Sequence, residues 1–220
     1  MKIKVIVTGA TGMVGEGVMH ECLQHVDVEQ VLIINRRPSG FVHPKLKELV
    51  HADFHNLAAI QDQLKGYQAC FFCLGVSSVG MKEEEFYKLT YTLTLNFATE
   101  LSKVNTGLTF CYISGAGTDS TEKGKTMWAR VKGKTENDLM KLPFKAAYNF
   151  RPGALSPTKG LKNTLSYYKY LGWLLPVIRL LAPNSISSLK QLGQAMIHVA
   201  VKGCEKRIVE VKDIHALSKI

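Results

Sequence analysis

Apolar residues in this chain gather in short continuous runs separated by stretches with helical spacing. The opening KIKVIVTGA is a buried-type run that ends in glycine, and Val14, Val18 and Cys22 then recur on one helix face. VLIINRR is a second such run, ELVHADF a weaker one, and ACFFCLG a third fully apolar stretch. The segment EEEFYKLTYTLTLNFATELSKV places Phe86, Leu89, Leu93, Phe97 and Leu101 at helical intervals, predicting one long helix. LTFCYISGAG predicts a strand, MWARVKGKTENDLMKL a helix, and KAAYNFRPG a strand that ends in a turn. Strands that are apolar on both faces and alternate with helices predict a parallel sheet covered on both sides.

After Pro152 the pattern loosens. Residues 164–183 are apolar and aromatic but are interrupted by Lys169, Gly172, Pro176 and Arg179, which makes them a poor membrane-spanning helix. Three readings stay open for this stretch: a lobe covering substrate, a homodimer surface, and a weak contact with a membrane surface. QLGQAMIHVAVKG then predicts a helix with Leu192, Met196 and Val199 on one face, and KRIVEVKDIHAL closes the chain. The domain reading is one unit over 1–220, with 154–190 as a small substrate or lid lobe.

Composition narrows the class. With 220 residues and 46% hydrophobic content, the chain supports a real core. The net charge of +10 is uneven: residues 1–120 hold 10 Lys/Arg against 12 Asp/Glu, and 121–220 hold 18 against 6. The first part is therefore at −2 and the second at +12, which suits an anionic cofactor or substrate. No specific nucleic-acid motif accompanies that charge. Five cysteines and no signal-peptide pattern imply a reducing, cytoplasmic setting. Cys70 and Cys73 spell C-x-x-C inside a strand, where residues three apart face opposite ways, so no redox or metal site is expected. The scattered histidines show no ligand spacing either.

The first strand–helix junction reads TGATGMVG. Gly9 permits a tight turn, Gly12 allows close approach of a pyrophosphate, and Gly15 lets the helix pack near the sheet. Thr11, Met13 and Val14 complete a dinucleotide cradle at the helix N-terminus. At the end of the second strand, where an acid would select NAD, the chain carries Asn35, Arg36 and Arg37. Guanidinium groups suit a 2′-phosphate, so NADP is favoured over NAD. Asp53 is placed at the adenine amino group, Phe54 is a further cofactor-binding candidate, and Cys73, Leu74 and Gly75 at the end of the fourth strand pass close to the cofactor.

These features, together with YISGAG, ARVKGKTE and FRPG, resemble the short-chain dehydrogenase/reductase superfamily. More narrowly they resemble its atypical branch, with the NAD(P)-dependent epimerase/dehydratase-like proteins and the Tat-interacting, oxidoreductase-like group. The resemblance implies a Rossmann-like, doubly wound α/β fold. It implies Ser114 as the group polarising a substrate carbonyl, Lys132 as the ribose-binding lysine, and Arg151-Pro152-Gly153 as the turn beside the nicotinamide. The family's tyrosine, four residues before the lysine, is Trp128 here. An indole donates a hydrogen bond but does not titrate in the working range. Three readings follow. One is an oxidoreductase or epimerase-like enzyme on an unidentified small carbonyl or sugar-type compound, with Tyr91, Ser114 or Lys132 as substitute acid and Trp128 against the substrate. Another is a non-catalytic NADP-binding sensor. In the third, Trp128 packs in the core and the chemistry happens elsewhere in the cleft.

Overall fold

A computed structural model describes residues 2–164 and 185–219. Seven strands form one parallel sheet: β1 (Ile3–Thr8), β2 (Val28–Asn35), β3 (Leu46–Val50), β4 (Ala69–Phe72), β5 (Thr109–Ile113), β6 (Ala146–Arg151) and β9 (Ile208–Glu210). Their spatial order is β3-β2-β1-β4-β5-β6-β9. Strand order therefore reverses between β1 and β4, and a crevice opens at their carboxyl ends. Two short strands, β7 (Ala154–Ser156) and β8 (Ile186–Ser188), pair separately in parallel. They come from the ends of the expected 154–190 lobe. The 164–183 stretch lies, apart from Thr164, outside the described residues.

Strand alternation divides the core in two. Val5, Val7, Ile33, Phe71 and Phe150 face helices α1 (Met13–Gln24), α5 (Leu189–Val201) and α6 (Val211–Leu217). Ile6, Leu32, Phe72, Phe110 and Tyr112 face the opposite layer, which contains α3 (Leu93–Val104) and α4 (Met127–Leu139). This is the doubly wound α/β architecture the pattern predicts. Cys70 joins one layer and Cys73 the other, and both are free thiols.

The long predicted helix is interrupted. α2 (Glu83–Tyr87) passes into a π turn over Lys88–Thr92 before α3 begins. The wider turn shifts the helical phase. Leu89, expected on the core face, is 38% exposed, while Thr90 turns inward. Phe86, Phe97 and Leu101 remain buried.

Candidate functional site

The crevice begins at the glycine turn. Gly9 has φ +70°, and a Cβ there would stand 2.7 Å from the Cys73 carbonyl oxygen on the neighbouring strand's exit. A Cβ on Gly15 would lie 2.1 Å from the Gly9 oxygen. The protein's own packing thus demands both residues. Gly12 differs: a Cβ would meet only the Gly9 oxygen, at an ordinary 3.5 Å. The chain's own packing therefore does not require a glycine at position 12. Gly12 N–H bonds Gly9 and Glu16 N–H bonds Gly12, leaving the amides of Met13, Val14 and Gly15 without a backbone partner at the start of α1. Such amides, at the positive end of a helix dipole, accept an anion. Gly75, on the loop after β4, likewise lies open: a Cβ there would meet nothing within 4 Å.

Thr11, Arg36, Arg37, Pro38 and Ala52 line a cavity of about 570 Å³ beside the turn. Both arginines are exposed, and neither has an ion pair or side-chain hydrogen bond among the described residues. Asn35 is buried and donates to Glu48 Oε1 at 2.8 Å, and the same oxygen receives Ser39 N–H at 2.8 Å. Burial works against this carboxylate, but the Asn35 and Ser39 hydrogen bonds hold its pKa below the usual range. Asp53 is exposed and its carboxylate accepts the His55 amide, forming a local turn. Phe54, expected beside the cofactor, has its ring stacked on Phe97 in the core at 5.9 Å, which leaves its backbone for a cofactor. Cys73 N–H is bonded to Thr8 Oγ1, and burial pushes its thiol pKa up, which leaves it an inert wall. Leu74 packs against the second core layer.

Three of the groups expected at the reacting centre have partners within the chain. Ser114 is buried at the end of β5, and its hydroxyl lies 2.5 Å from Glu136 Oε1 and 3.1 Å from the Phe150 carbonyl. Tyr91 donates to Asp138 at 2.8 Å, and burial followed by that carboxylate pushes its pKa up to about 12. A phenol so held is a poor acid at neutral pH. Arg151 pairs with Glu136, reaches Glu210 at 3.3 Å and lies 2.5 Å from Ser120 Oγ. It therefore braces α4 against β6 and β9. In the turn that follows, the Pro152 carbonyl accepts the Ala116 amide, and a Cβ on Gly153 would meet the Ser185 oxygen at 2.1 Å. The chain's own packing thus accounts for the glycine at position 153.

Lys132 remains. Its ammonium donates to the Ser114 carbonyl at 2.5 Å, four residues before Glu136 on α4. Burial lowers its pKa to about 8, with the Glu136 charge opposing the shift. Trp128, one turn earlier, is half-buried and lies against Gly117, 3.6 Å from where a Cβ would be. Sequence reasoning missed two residues, Glu16 and Glu136. Both are carboxylates buried to 2% or less on otherwise apolar helix faces, and that placement was the available signal. Among the described residues no three His, Cys, Asp or Glu gather as a metal set, and no helix is long and apolar enough to cross a membrane.

A dinucleotide-binding turn at the switch point of a 3-2-1-4-5-6 sheet defines a class, and residues 5–127 match the NAD dependent epimerase/dehydratase family. The chain belongs to that family, in the atypical branch of the short-chain dehydrogenase/reductases. It is 26% identical over 177 residues to Protein FMP52-1, mitochondrial, of Scheffersomyces stipitis, covering 77% of each chain. It is 27% identical over 153 residues to Protein HTATIP2 of Rattus norvegicus, covering 69% of this chain and 62% of that one. Among solved structures, a glucuronic acid dehydrogenase from Chromohalobacter salexigens shares the fold with a TM-score of 0.69 at 16% identity, covering 95% of this chain and 76% of that one.

Proposed function

We propose that this protein binds NADP and acts as an oxidoreductase or epimerase-like enzyme on a small carbonyl or sugar-type compound, with Lys132 as its proton source. One observation carries the cofactor half. Gly12 is bare without an internal reason, next to unbonded helix amides and two arginines that have no partner among the described residues. The amides of Met13, Val14 and Gly15 would hold the pyrophosphate, and Arg36, Arg37 and Thr11 the 2′-phosphate. Asp53 and the backbone of Phe54 would border the adenine. The bound cofactor would supply hydride. Lys132, its pKa lowered to about 8 by burial, stays largely protonated at neutral pH and can release a proton to a substrate oxygen. Replacing Arg36 and Arg37 with Ala should weaken NADPH binding by about 1–3 kcal/mol per lost charged contact and spare NADH. Titration calorimetry that shows equal losses for both cofactors would refute the phosphate clamp.

A second reading, an NADP-binding sensor without turnover, is favoured by the engagement of the Ser114 and Tyr91 hydroxyls with Glu136 and Asp138. Incubation with NADPH and a panel of aldehydes, ketones and quinones separates the two: tight binding without turnover selects the sensor. We place the protein in a reducing compartment because its five cysteines are free. The cytoplasm fits, as does the interior of the organelle named for the fungal relatives. A homodimer or membrane contact through 164–183 stays a proposal of the sequence alone.

A further inference from the structure

Glu16 follows the last glycine of the cradle and is only 2% exposed, although its side chain ends in a carboxyl group. A buried carboxylate needs partners. Its partners come from far along the chain: Lys162 N–H donates to Oε1 at 2.8 Å and Asn163 N–H to Oε2 at 2.7 Å. Two consecutive backbone amides closing on one carboxylate fasten segment 157–164 along the outer side of α1. Earlier in that segment, Thr158 borders a groove with His20 and Glu21 of the same helix, and Leu161 packs on the core.

The strap also reaches the loop that carries the arginines. Lys162 Nζ stands over the Phe41 ring, 5.1 Å from its centroid, and Phe41 packs on the same core layer as Leu161. Phe41 N–H bonds Ser39 Oγ, Ser39 N–H bonds Glu48, and Glu48 receives Asn35. Arg36 and Arg37 therefore sit between two anchors. The sheet holds one end through Asn35 and Glu48, and the strap holds the other through Phe41. Between them the arginines have no partner among the described residues, and Gly40 is in the left-handed region at φ +70°.

We infer that Glu16 is a positioning residue for cofactor selectivity. By holding segment 157–164 it sets Lys162 on Phe41 and keeps the 36–40 loop shaped for a 2′-phosphate. This rests on the reading of Arg36 and Arg37 given above. Preorganising the loop strengthens NADPH binding by removing the cost of ordering it, while NADH, which lacks the 2′-phosphate, gains little.

The test compares wild type with Glu16→Gln, Glu16→Ala and Lys162→Met. Gln keeps one acceptor, and the Lys162 change touches only an exposed side chain, so at least one variant folds. Kd values for NADPH and NADH are measured by calorimetry, alongside tryptic cleavage between Arg36 and Arg37. The expected result is an NADPH Kd raised about tenfold in Glu16→Ala with NADH unchanged, and faster cleavage in the loop. Lys162→Met should show a smaller loss of the same selectivity. Equal weakening of both cofactors marks a merely structural carboxylate and overturns the proposal. So does an NADPH-to-NADH ratio that the variants leave unchanged from a wild type preferring NADPH. A wild type without NADPH preference overturns the arginine reading itself, and the positioning role falls with it.

Discussion

Lys132 offers the sharpest test of how the crevice is built. Its ammonium is part-buried on α4, and burial lowers its pKa from the usual 10.5 to about 8. The folded pKa lies below the unfolded one, so between pH 8 and pH 10.5 the unfolded chain holds a proton that the folded chain has shed. Stability then rises with pH across that window, and the burden of the buried charge is fully present below pH 8. The gap corresponds to at most ~3 kcal/mol, and about 2 kcal/mol once residual solvent contact is allowed for. Lys132→Met removes the titration. It also leaves the Ser114 carbonyl without its donor, but that loss is the same at every pH. Denaturant unfolding of both proteins from about pH 7 to pH 9.5 isolates the effect, because every other titrating group cancels in the difference. Wild type should gain about 1–2 kcal/mol on the variant over this range. A flat difference, or one that falls with pH, would mean the ammonium is solvated as an ordinary lysine and would remove it as a proton source at neutral pH.

Two further outcomes rest on the same geometry. Gly12→Ala should melt within about 2 °C of wild type yet lose most of its NADP affinity, whereas Gly15→Ala, with a Cβ forced to 2.1 Å from the Gly9 oxygen, should be destabilised by about 1–3 kcal/mol; thermal melts paired with cofactor titration distinguish them. Trp128→Tyr should create or raise NADPH-dependent reduction of aldehydes and ketones, followed by absorbance, since Lys132 already stands one helical turn away; no gain in turnover would show that the crevice lacks more than an acid.

What the sequence made legible was whatever depends on near neighbours along the chain. The βα alternation, both faces of the sheet and the three-glycine turn are local patterns, and each recurs in the structure at the expected strand ends. The π turn was not legible, because a helical wheel assumes constant pitch. One widened turn was enough to expose Leu89 and bury Thr90. Where a polar side chain points depends on partners that periodicity does not record. The resemblance implies Ser114 for the substrate carbonyl, and Glu136, 22 residues later, is a partner of its hydroxyl that periodicity does not reveal. Tyr91 was offered as an acid, but Asp138 lies 47 residues on and raises its pKa.

The same reasoning separates a cation of the basic half from two cations of the acidic half. Arg151, inside a family-like turn, is fixed by Glu136 and Glu210, two of the few acids of residues 121–220. Removing one partner from such a buried pair costs about 3–5 kcal/mol, so the fold uses this cation as a brace that also fixes the helix bearing Lys132. Arg36 and Arg37, in the acidic half, have no such partner among the described residues, in spite of that half's surplus of carboxylates. Glu48, on the neighbouring strand, is already bonded to Asn35 and Ser39. Two cations left in this way beside a phosphate-type turn point to a ligand more strongly than the +12 balance of residues 121–220, because the chain contains acids that could have neutralised them and uses one of those acids to hold the loop in place.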